Sequence, residues 1–405
     1  MSYIISSAFW GMIIGVLPGS YLCQRFGSKF TMMISILGSS LFGIITPICI
    51  PLGGWPIYSG IRVIQGIFQA FFFPCVAHHL AKWSPIEERT LLSALSLSGL
   101  TIGTILAISV SGFIAKSSLG WPGIMYVSNG IGLVVCLFWM IFADNTPMTS
   151  RFISEEEKYY ILSSQQKIEE KSKQIAVPWK AIFTSRPVWS LVIVQLTETW
   201  GHTTVLSQLP LYMNGVHKLN ITSNGIYSAL PYLAMFFMSF VYLFSAGAIM
   251  KKNIVSLTVL KKIINTMAMW IPAAALIGVG FLDENQKPLA IVLMVLTVGC
   301  NAGVNVGQGV NSIELSPNHA STITAIIYFL VGVVGFSTPL YCGFIVNNQA
   351  DHQQWQIVFL TSSLMYFFGN LQYLFFGTTK TQPWDDENFL LQKDDSENPR
   401  ESKKI

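Results

Sequence analysis

The chain has 405 residues, of which 52% are hydrophobic and only 11% are charged. Because soluble domains usually carry about a quarter charged residues, this composition excludes an ordinary soluble domain and indicates that much of the chain lies in lipid. The formal net charge of +4 is too small to indicate a nucleic-acid partner. The six cysteines show no paired spacing, so the sequence predicts neither a disulfide framework nor a metal site.

Eleven apolar runs reach the roughly 20 residues that a membrane-spanning helix requires. Five of them precede a polar segment and six follow it, so we expect an all-α membrane protein with two helical halves. The halves cover residues 1–143 and 189–377, with a linker at 144–188 and a polar tail at 378–405. The runs lie near 4–22, 30–51, 55–80, 90–114, 122–143, 189–212, 224–248, 263–282, 289–312, 320–345 and 355–377.

The basic residues predict how the chain crosses the membrane. Of the 24 Lys and Arg residues, twenty fall in one set of alternating loops, the linker and the tail, and three fall in the other set. Cytoplasmic loops carry the excess of positive charge, so we expect the linker and the C-terminus to be cytoplasmic. The one remaining basic residue, Arg62, lies inside an apolar run.

The third run contains the stretch GIRVIQGIFQAFFFPC, in which Arg62 is the only charged residue. An arginine in a membrane is costly to bury and keeps its charge, whereas a guanidinium that faces a water-filled cavity can bind a carboxylate or phosphate. We therefore predict that Arg62 binds an anionic substrate. The alternative is an ion pair with a buried carboxylate that fixes helix packing. Four residues of the stretch are spaced three or four apart and so share one helix face: Ser59, Arg62, Gly66 and Gln69.

A second polar stripe follows the linker, in the stretch VQLTETWGHTT. It contains Glu198, the one acid well inside a predicted span, and His202 one helical turn later. Glu198 is a candidate for a group that gains and loses a proton during transport, and the alternative is a permanent ion pair with Arg62. His202 is a candidate proton relay, and the alternative is a hydrogen-bonded histidine that packs between helices.

A third stripe consists of uncharged polar residues in NAGVNVGQGVNS, spaced three or four apart. Amides and hydroxyls of this kind can hydrogen-bond a substrate or coordinate sodium, and they also join helices to one another. We predict substrate contacts from Asn305 and Gln308. The glycines between them permit close packing or local unwinding. The stripe comprises Asn301, Asn305, Gln308 and Ser312.

Two short signals lie outside the spans. Asn220 begins a glycosylation sequon in a loop that the charge count places outside the cell or in a vesicle lumen. The tail contains DENFLL, at 386–391, which matches an acidic dileucine sorting signal. We therefore expect a multi-pass protein of the plasma membrane or of a lysosomal or vesicular membrane.

Several stretches carry a family resemblance that covers nearly the whole chain. The loop SYLCQRFGSK partly matches the G-x-L-x-D-R-x-G-R-K motif of the major facilitator superfamily. The stretches AFWGMIIGVLPGSYL, RVIQGIFQAFFFPCVAHHLAKWSPIEER, GWPGIMYV and SPNHAS resemble solute carrier family 17. That family includes sodium–phosphate cotransporters, the sialic acid exporter sialin and vesicular glutamate transporters. The resemblance implies a twelve-helix transporter bundle, so we expect that this chain lacks the first helix.

The resemblance also implies a function. It assigns Arg62 to substrate binding and predicts secondary active transport of inorganic phosphate or a small organic anion by alternating access, coupled to Na⁺ or H⁺. The glutamate and sialic acid branches usually have Glu at the position of Gln69, and the glutamate transporters have Arg at the position of Glu198. These departures favour a phosphate-like branch. A truncated, non-transporting regulatory isoform is the alternative function.

No nucleotide loop, nucleophile elbow or metal-ligand cluster is visible in the sequence. We therefore expect no enzymatic activity and no bound cofactor apart from a coupling ion. The predicted partners are the lipid bilayer and the small anionic solute.

Overall fold

The computed structural model describes residues 2–85, 89–169, 177–219, 221–252, 255–282, 286–316 and 319–386. Within these ranges all regular secondary structure is helical. The first half contains α1 (Ser2–Phe26), α2 (Ser28–Gln69), α3 (Phe72–Trp83), α4 (Arg89–Lys116) and α5 (Gly120–Phe142). The linker contributes α6 (Glu155–Glu169) and the short α7 (Trp179–Thr184).

The second half begins with α8 (Arg186–Gly215), α9 (Ile221–Lys251) and α10 (Leu257–Gly280). The next crossing is interrupted, because a π-helical turn at Asn305–Gly309 lies between α11 (Lys287–Asn301) and α12 (Asn311–Leu315). The bundle ends with α13 (Ala320–Ile345) and α14 (His352–Phe376). Single π-helical turns occur mostly inside α-helices and frequently at functional sites.

The helix α2, with 42 residues, is long enough to cross a membrane twice. Its backbone leaves the helical region at Gly53 and Gly54, where Gly54 has φ of 63° and ψ of −146°. Prolines at positions 47, 51 and 56 flank this break, and prolines disrupt the hydrogen bonds of a helix interior. The two spans that the sequence predicts here correspond to the two legs of α2 on either side of this break.

By length and hydropathy alone, nine helical stretches of the described residues qualify as membrane spans. One of them, Ser28–Leu80, has 53 residues and contains the Gly53 break, so it counts as two. The 30-residue α8 is also long enough to cross a bilayer and packs against α13 and α14. Counted by length in this way, eleven helical stretches of the described residues can cross a bilayer, which is the number that the sequence predicts.

Two pairs of helices join the halves: α1 packs against α13, and α4 packs against α9. Small residues let these helices approach closely. A Cβ atom added to Gly225 of α9 would lie 3.0 Å from the carbonyl oxygen of Ile108 in α4. A Cβ atom on Gly335 of α13 would lie 2.9 Å from the ring of Phe9 in α1.

A tight turn joins α1 to α2 at the end of the bundle where the linker connects, which we call the linker end. Gly27 has φ of 87° there, a conformation that favours glycine. Asn145, just beyond α5, accepts a hydrogen bond of 2.9 Å from the backbone nitrogen of Lys29. The Lys29 ammonium also lies 3.3 Å from Asp144. The turn is therefore tied to the end of α5.

Candidate functional site

Arg62 lies nine residues beyond Gly53, on the second leg of α2. At 1.5 Å per residue this is about 13 Å along the helix, close to the middle of a hydrocarbon core about 30 Å thick. The side chain is half-buried. Its guanidinium carbon lies 5.5 Å from the centre of the Tyr58 ring, one turn earlier. The α2 helix therefore presents a cation at the depth where transporters bind their substrates.

Arg62 forms no ion pair with any residue that the structure describes. The ion pairs there join Lys29 to Asp144, Lys158 to Glu155 and Lys261 to Glu314. The permanent pair between Arg62 and Glu198, one alternative from the sequence, is therefore not formed in this structure. The Arg62 Nε atom is buried without a hydrogen-bond partner, and so is the hydroxyl of Ser59.

The remaining residues of the Arg62 stripe differ in environment. Gly66 is buried against α1, where an added Cβ atom would overlap the carbonyl oxygen of Ala8. Gln69 is exposed at the end of α2. Along the stripe, the half-buried Arg62 therefore precedes the contact of Gly66 with α1, and the exposed Gln69 follows it.

Glu198 and His202 lie one turn apart on α8, and both side chains are half-buried. The side chain of Asn301, at the end of α11, lies close to each of them. Asn301 also donates a hydrogen bond of 3.4 Å to the carbonyl oxygen of Ala268 in α10. One amide therefore links the acid and the imidazole of α8 to two neighbouring helices.

The third polar stripe, within residues 301–312 of the interrupted crossing, contains both buried and exposed side chains. Asn305, the first residue of the π-helical turn, is exposed. Gln308 is 0% exposed, and neither its oxygen nor its nitrogen has a partner. Ser312 is buried and accepts a hydrogen bond of 3.0 Å from the Thr324 hydroxyl. Asn305 thus lies at the surface of the bundle, whereas Gln308 is enclosed.

A second intramembrane cation was missed by the sequence interpretation, which counted Lys261 among the loop lysines. The structure places Lys261 in the first turns of α10, 4% exposed, with its ammonium 2.6 Å from the Glu314 carboxylate of α12. Glu314 lies just past the predicted end of its span, so neither residue was read as intramembrane. One pattern in the sequence could have indicated the position of Glu314. It follows Asn311 by three residues and therefore lies on the same helix face, one turn later.

The candidate residues are divided between the halves. Arg62 and Gln69 lie on α2, which packs on α1, α3 and α5. Glu198 and His202 lie on α8, which packs on α13 and α14, while Asn305 follows α11. A solute that touched both groups would bridge the two halves. Asn220 lies outside the described residues.

Two cavities at the bundle surface lie elsewhere. One of about 340 Å³ is lined by residues at the ends of α8, α9 and α11, and one of about 380 Å³ lies between α8 and α14. Neither is lined by a candidate binding residue, and the aromatic lining of the second suits lipid. The first is lined by Leu219, Tyr227, Lys287, Pro288 and Ile291; the second includes Phe368, Phe375 and Phe376.

The helical bundle, with two halves and a polar stripe in each, defines a multi-pass membrane transporter. Comparisons with known proteins agree. The family model of the Major Facilitator Superfamily matches residues 1–339. The chain is 31% identical over 395 residues to "Putative inorganic phosphate cotransporter" of Drosophila ananassae, which covers 96% of this chain and 81% of that protein.

Two further similarities extend this result. The chain is 29% identical to "Sodium-dependent phosphate transport protein 3" of Mus musculus, over 96% of this chain and 80% of that one. A crystal structure of a D-xylose-proton symporter matches the fold with a TM-score of 0.67 at 16% identity, over 94% of this chain and 89% of that one. The chain belongs to the Major Facilitator Superfamily and, within it, to solute carrier family 17. The family consists of transporters, so the chain is not an enzyme.

Proposed function

We propose that this chain is a secondary active transporter of small anions, with inorganic phosphate as the leading substrate, and that Arg62 binds the anion. The two halves rock about the α1–α13 and α4–α9 contacts so that the site opens to one side of the membrane and then to the other. Gln69 and Asn305 contribute polar contacts from the two halves, and Gln308 supports the π-helical turn that carries Asn305.

The observation that carries the proposal is the unpaired state of Arg62. A guanidinium cannot lose its proton in a protein, so this charge persists near the middle of the membrane without a carboxylate partner among the described residues. Its Nε atom and the Ser59 hydroxyl are buried hydrogen-bonding groups without partners. A bound phosphate or carboxylate supplies both the charge and the acceptor oxygens that these groups lack.

Phosphate is favoured over glutamate by two residues. Gln69 cannot titrate, and the acid Glu198 stands at a position where the resemblance implies a second arginine in the glutamate transporters. The second substrate-binding cation that the resemblance implies for the glutamate transporters is therefore missing. The similarity to phosphate transporters of the same family supports the same choice.

The driving ion is a proton or sodium. Glu198 is the candidate proton carrier, because it is an ionisable group near the middle of α8, and its amide contact with Asn301 joins it to α11. His202 shares that contact and is the candidate relay. The linker and C-terminus face the cytoplasm in this proposal, and protection of an epitope tag at the C-terminus in sealed cells tests that orientation.

The test is uptake of radiolabelled phosphate into liposomes that contain the purified chain. We expect saturable uptake by the wild type and a loss of roughly 10–100-fold in the Arg62→Ala variant, the cost of a charge-assisted hydrogen bond. Arg62→Lys keeps the positive charge but lacks the planar guanidinium that can donate two hydrogen bonds to one anion. Its phosphate uptake is therefore expected to lie between that of the wild type and that of Arg62→Ala. Arg151→Ala, an exposed arginine in the linker, is the matched control and is expected to transport normally.

Two results would contradict the proposal. One is uptake by Arg62→Ala at the wild-type rate. The other is uptake of labelled glutamate, but not phosphate, by the wild type, which would assign the chain to a different substrate branch.

A further inference from the structure

The cavity between α8 and α14 is a groove on the surface of the bundle, with a volume of about 380 Å³. The two helices are in close contact there, because a Cβ atom added to Gly369 of α14 would overlap the Thr197 side chain of α8. Apolar and aromatic side chains supply most of the lining, so the groove offers a hydrocarbon-like surface. They are Ile193, Phe368, Leu371, Phe375 and Phe376.

The two polar side chains that line the groove use their hydrogen-bond donors on the backbone. The Gln372 nitrogen donates to the carbonyl oxygens of Ser190 at 2.8 Å and Gly369 at 3.0 Å. The Thr197 hydroxyl donates to the carbonyl oxygen of Ile193 at 3.0 Å. Because these donors are already bonded, the groove favours a hydrocarbon chain over a polar solute.

One of these hydrogen bonds aligns the ends of the two helices. Gln372 lies one turn before Phe376, the last residue of α14. Ser190 lies one turn after Arg186, the first residue of α8. Because the Gln372 side chain bonds the Ser190 carbonyl oxygen, the two helix ends lie at the same level of the bundle, at its linker end.

The groove has the length of one leaflet of a membrane. Arg186, Ile193 and Thr197 are spaced seven and four residues apart, so they lie on one face of α8. From Arg186 to Thr197 the helix rises about 16 Å, which is close to half of a hydrocarbon core about 30 Å thick. A phospholipid with its head group at Arg186 therefore extends an acyl chain along the groove to Thr197.

Exposed aromatic side chains mark the membrane interface at the same level. Trp179 and Phe183 of α7 are 53% and 49% exposed, and Trp189 of α8 is 40% exposed. The Trp189 indole donates to the Phe183 carbonyl oxygen at 2.7 Å, which joins α7 to the start of α8. Tryptophan is enriched where the membrane meets water, so this end of the groove lies at the depth of the lipid head groups.

The charge at this end of the groove is positive. Lys180 and Arg186 are exposed and form no ion pair with any residue that the structure describes. Residues 177–197 contain no Asp or Glu, and neither do residues 368–377. The Ser185 side chain does not cap α8, and helix N-termini favour anions. An anionic head group therefore complements this surface.

We propose that this groove binds an anionic phospholipid of the cytoplasmic leaflet, represented by phosphatidylserine. The head group contacts Arg186 and Lys180, and one acyl chain lies along Ile193, Phe375 and Phe376. Basic pockets between transmembrane helices on the cytoplasmic side bind anionic head groups. The lipid holds the start of α8 against α14. The choice of leaflet rests on the proposed orientation, whereas binding of the lipid does not depend on the transported solute.

The experiment measures the thermal unfolding of the purified full chain in detergent, with phosphatidylserine or an equal mole fraction of phosphatidylcholine. Ligand binding to the folded state raises the melting temperature, and we expect a saturable rise that is roughly 2–5 °C larger with phosphatidylserine. The double variant Lys180→Gln, Arg186→Gln is expected to raise the phosphatidylserine fraction at half-effect roughly tenfold. The matched control is Lys251→Gln, Lys252→Gln, which removes two exposed charges at the linker end of α9 and is expected to respond as the wild type does.

Ile193→Trp tests the groove itself, because the larger side chain of this exposed residue fills the space of the acyl chain and leaves both charges in place. We expect it to remove most of the rise. Equal melting temperatures in the two lipids, or an unchanged response in both the double variant and Ile193→Trp, would overturn the proposal. So would a rise of the same size with glycerophosphoserine, which has no acyl chains. A wild-type dimer that Ile193→Trp dissociates would overturn it by assigning the groove to a second copy of the chain.

Discussion

The two intramembrane cations of this chain, one in each half, have opposite environments. Arg62 is half-buried, rests on the Tyr58 ring at 5.5 Å and has no carboxylate partner among the described residues. Lys261 is 4% exposed and its ammonium lies 2.6 Å from Glu314. A charge that the protein does not neutralise attracts a ligand, whereas a charge paired inside the bundle holds two helices together. In the proposed mechanism, the first half therefore supplies the anion site and the second half a fixed framework.

Packing differs from helix to helix. Of the residues in the most apolar part of each helix, 6% are buried in α4 and α5, 11% in α9 and 33% in α1 and α2, compared with 56% in α10 and in the crossing that contains the π-helical turn. A continuous apolar cluster joins α8, α10, α11 and α14. Buried charges in such a core are costly unless they are paired, and Lys261 lies against Glu314 there.

The largest expected effect comes from breaking the paired cation. Glu314→Ala leaves Lys261 buried without a counter-charge, which typically costs about 3–5 kcal/mol. We expect a clear fall in the unfolding temperature of the purified protein. The double variant Lys261→Met, Glu314→Leu removes both charges and is expected to recover most of the loss.

A matched control is Glu155→Ala, which removes the exposed ion pair with Lys158 in the linker. Exposed ion pairs contribute little to stability, so no measurable change is expected. If Glu314→Ala unfolded at the same temperature as Glu155→Ala, the distinction between the two cations would be lost.

A second variant tests which ion drives transport. Glu198→Gln keeps the shape and the amide contact with Asn301 but cannot carry a proton. If protons drive uptake, phosphate accumulation under an imposed pH gradient is expected to fall about tenfold or more, while exchange of internal for external phosphate continues. Unchanged accumulation in the variant would remove Glu198 from the coupling mechanism and favour sodium.

The smallest expected effect concerns the ring beneath Arg62. A cation–π contact contributes about 0.5–1 kcal/mol at partly exposed sites, so Tyr58→Leu is expected to weaken phosphate binding about two- to five-fold. Tyr58→Phe keeps the ring and is expected to bind normally. Equal losses in both variants would show that the hydroxyl, and not the ring, supports the site.

The sequence predicts the helices well, because apolar runs of membrane length depend on local composition alone. It also locates Arg62 and Glu198, since a charge inside such a run is conspicuous. The sequence could not predict that Arg62 and Glu198 form no ion pair with each other, because that depends on how α2 and α8 pack. The pairing of Lys261 was missed for a related reason, because a lysine near a span end resembles a loop residue until the structure places it against Glu314.

The most direct test of the account compares the two cations in one assay, equilibrium binding of labelled phosphate to the purified chain. We expect Arg62→Ala to weaken binding roughly 10–100-fold, and the Lys261→Met, Glu314→Leu variant to bind within about threefold of the wild type, since a paired charge is not available to a ligand. Wild-type affinity in Arg62→Ala, or loss of binding only in the double variant, would contradict the assignment of the anion to the unpaired arginine.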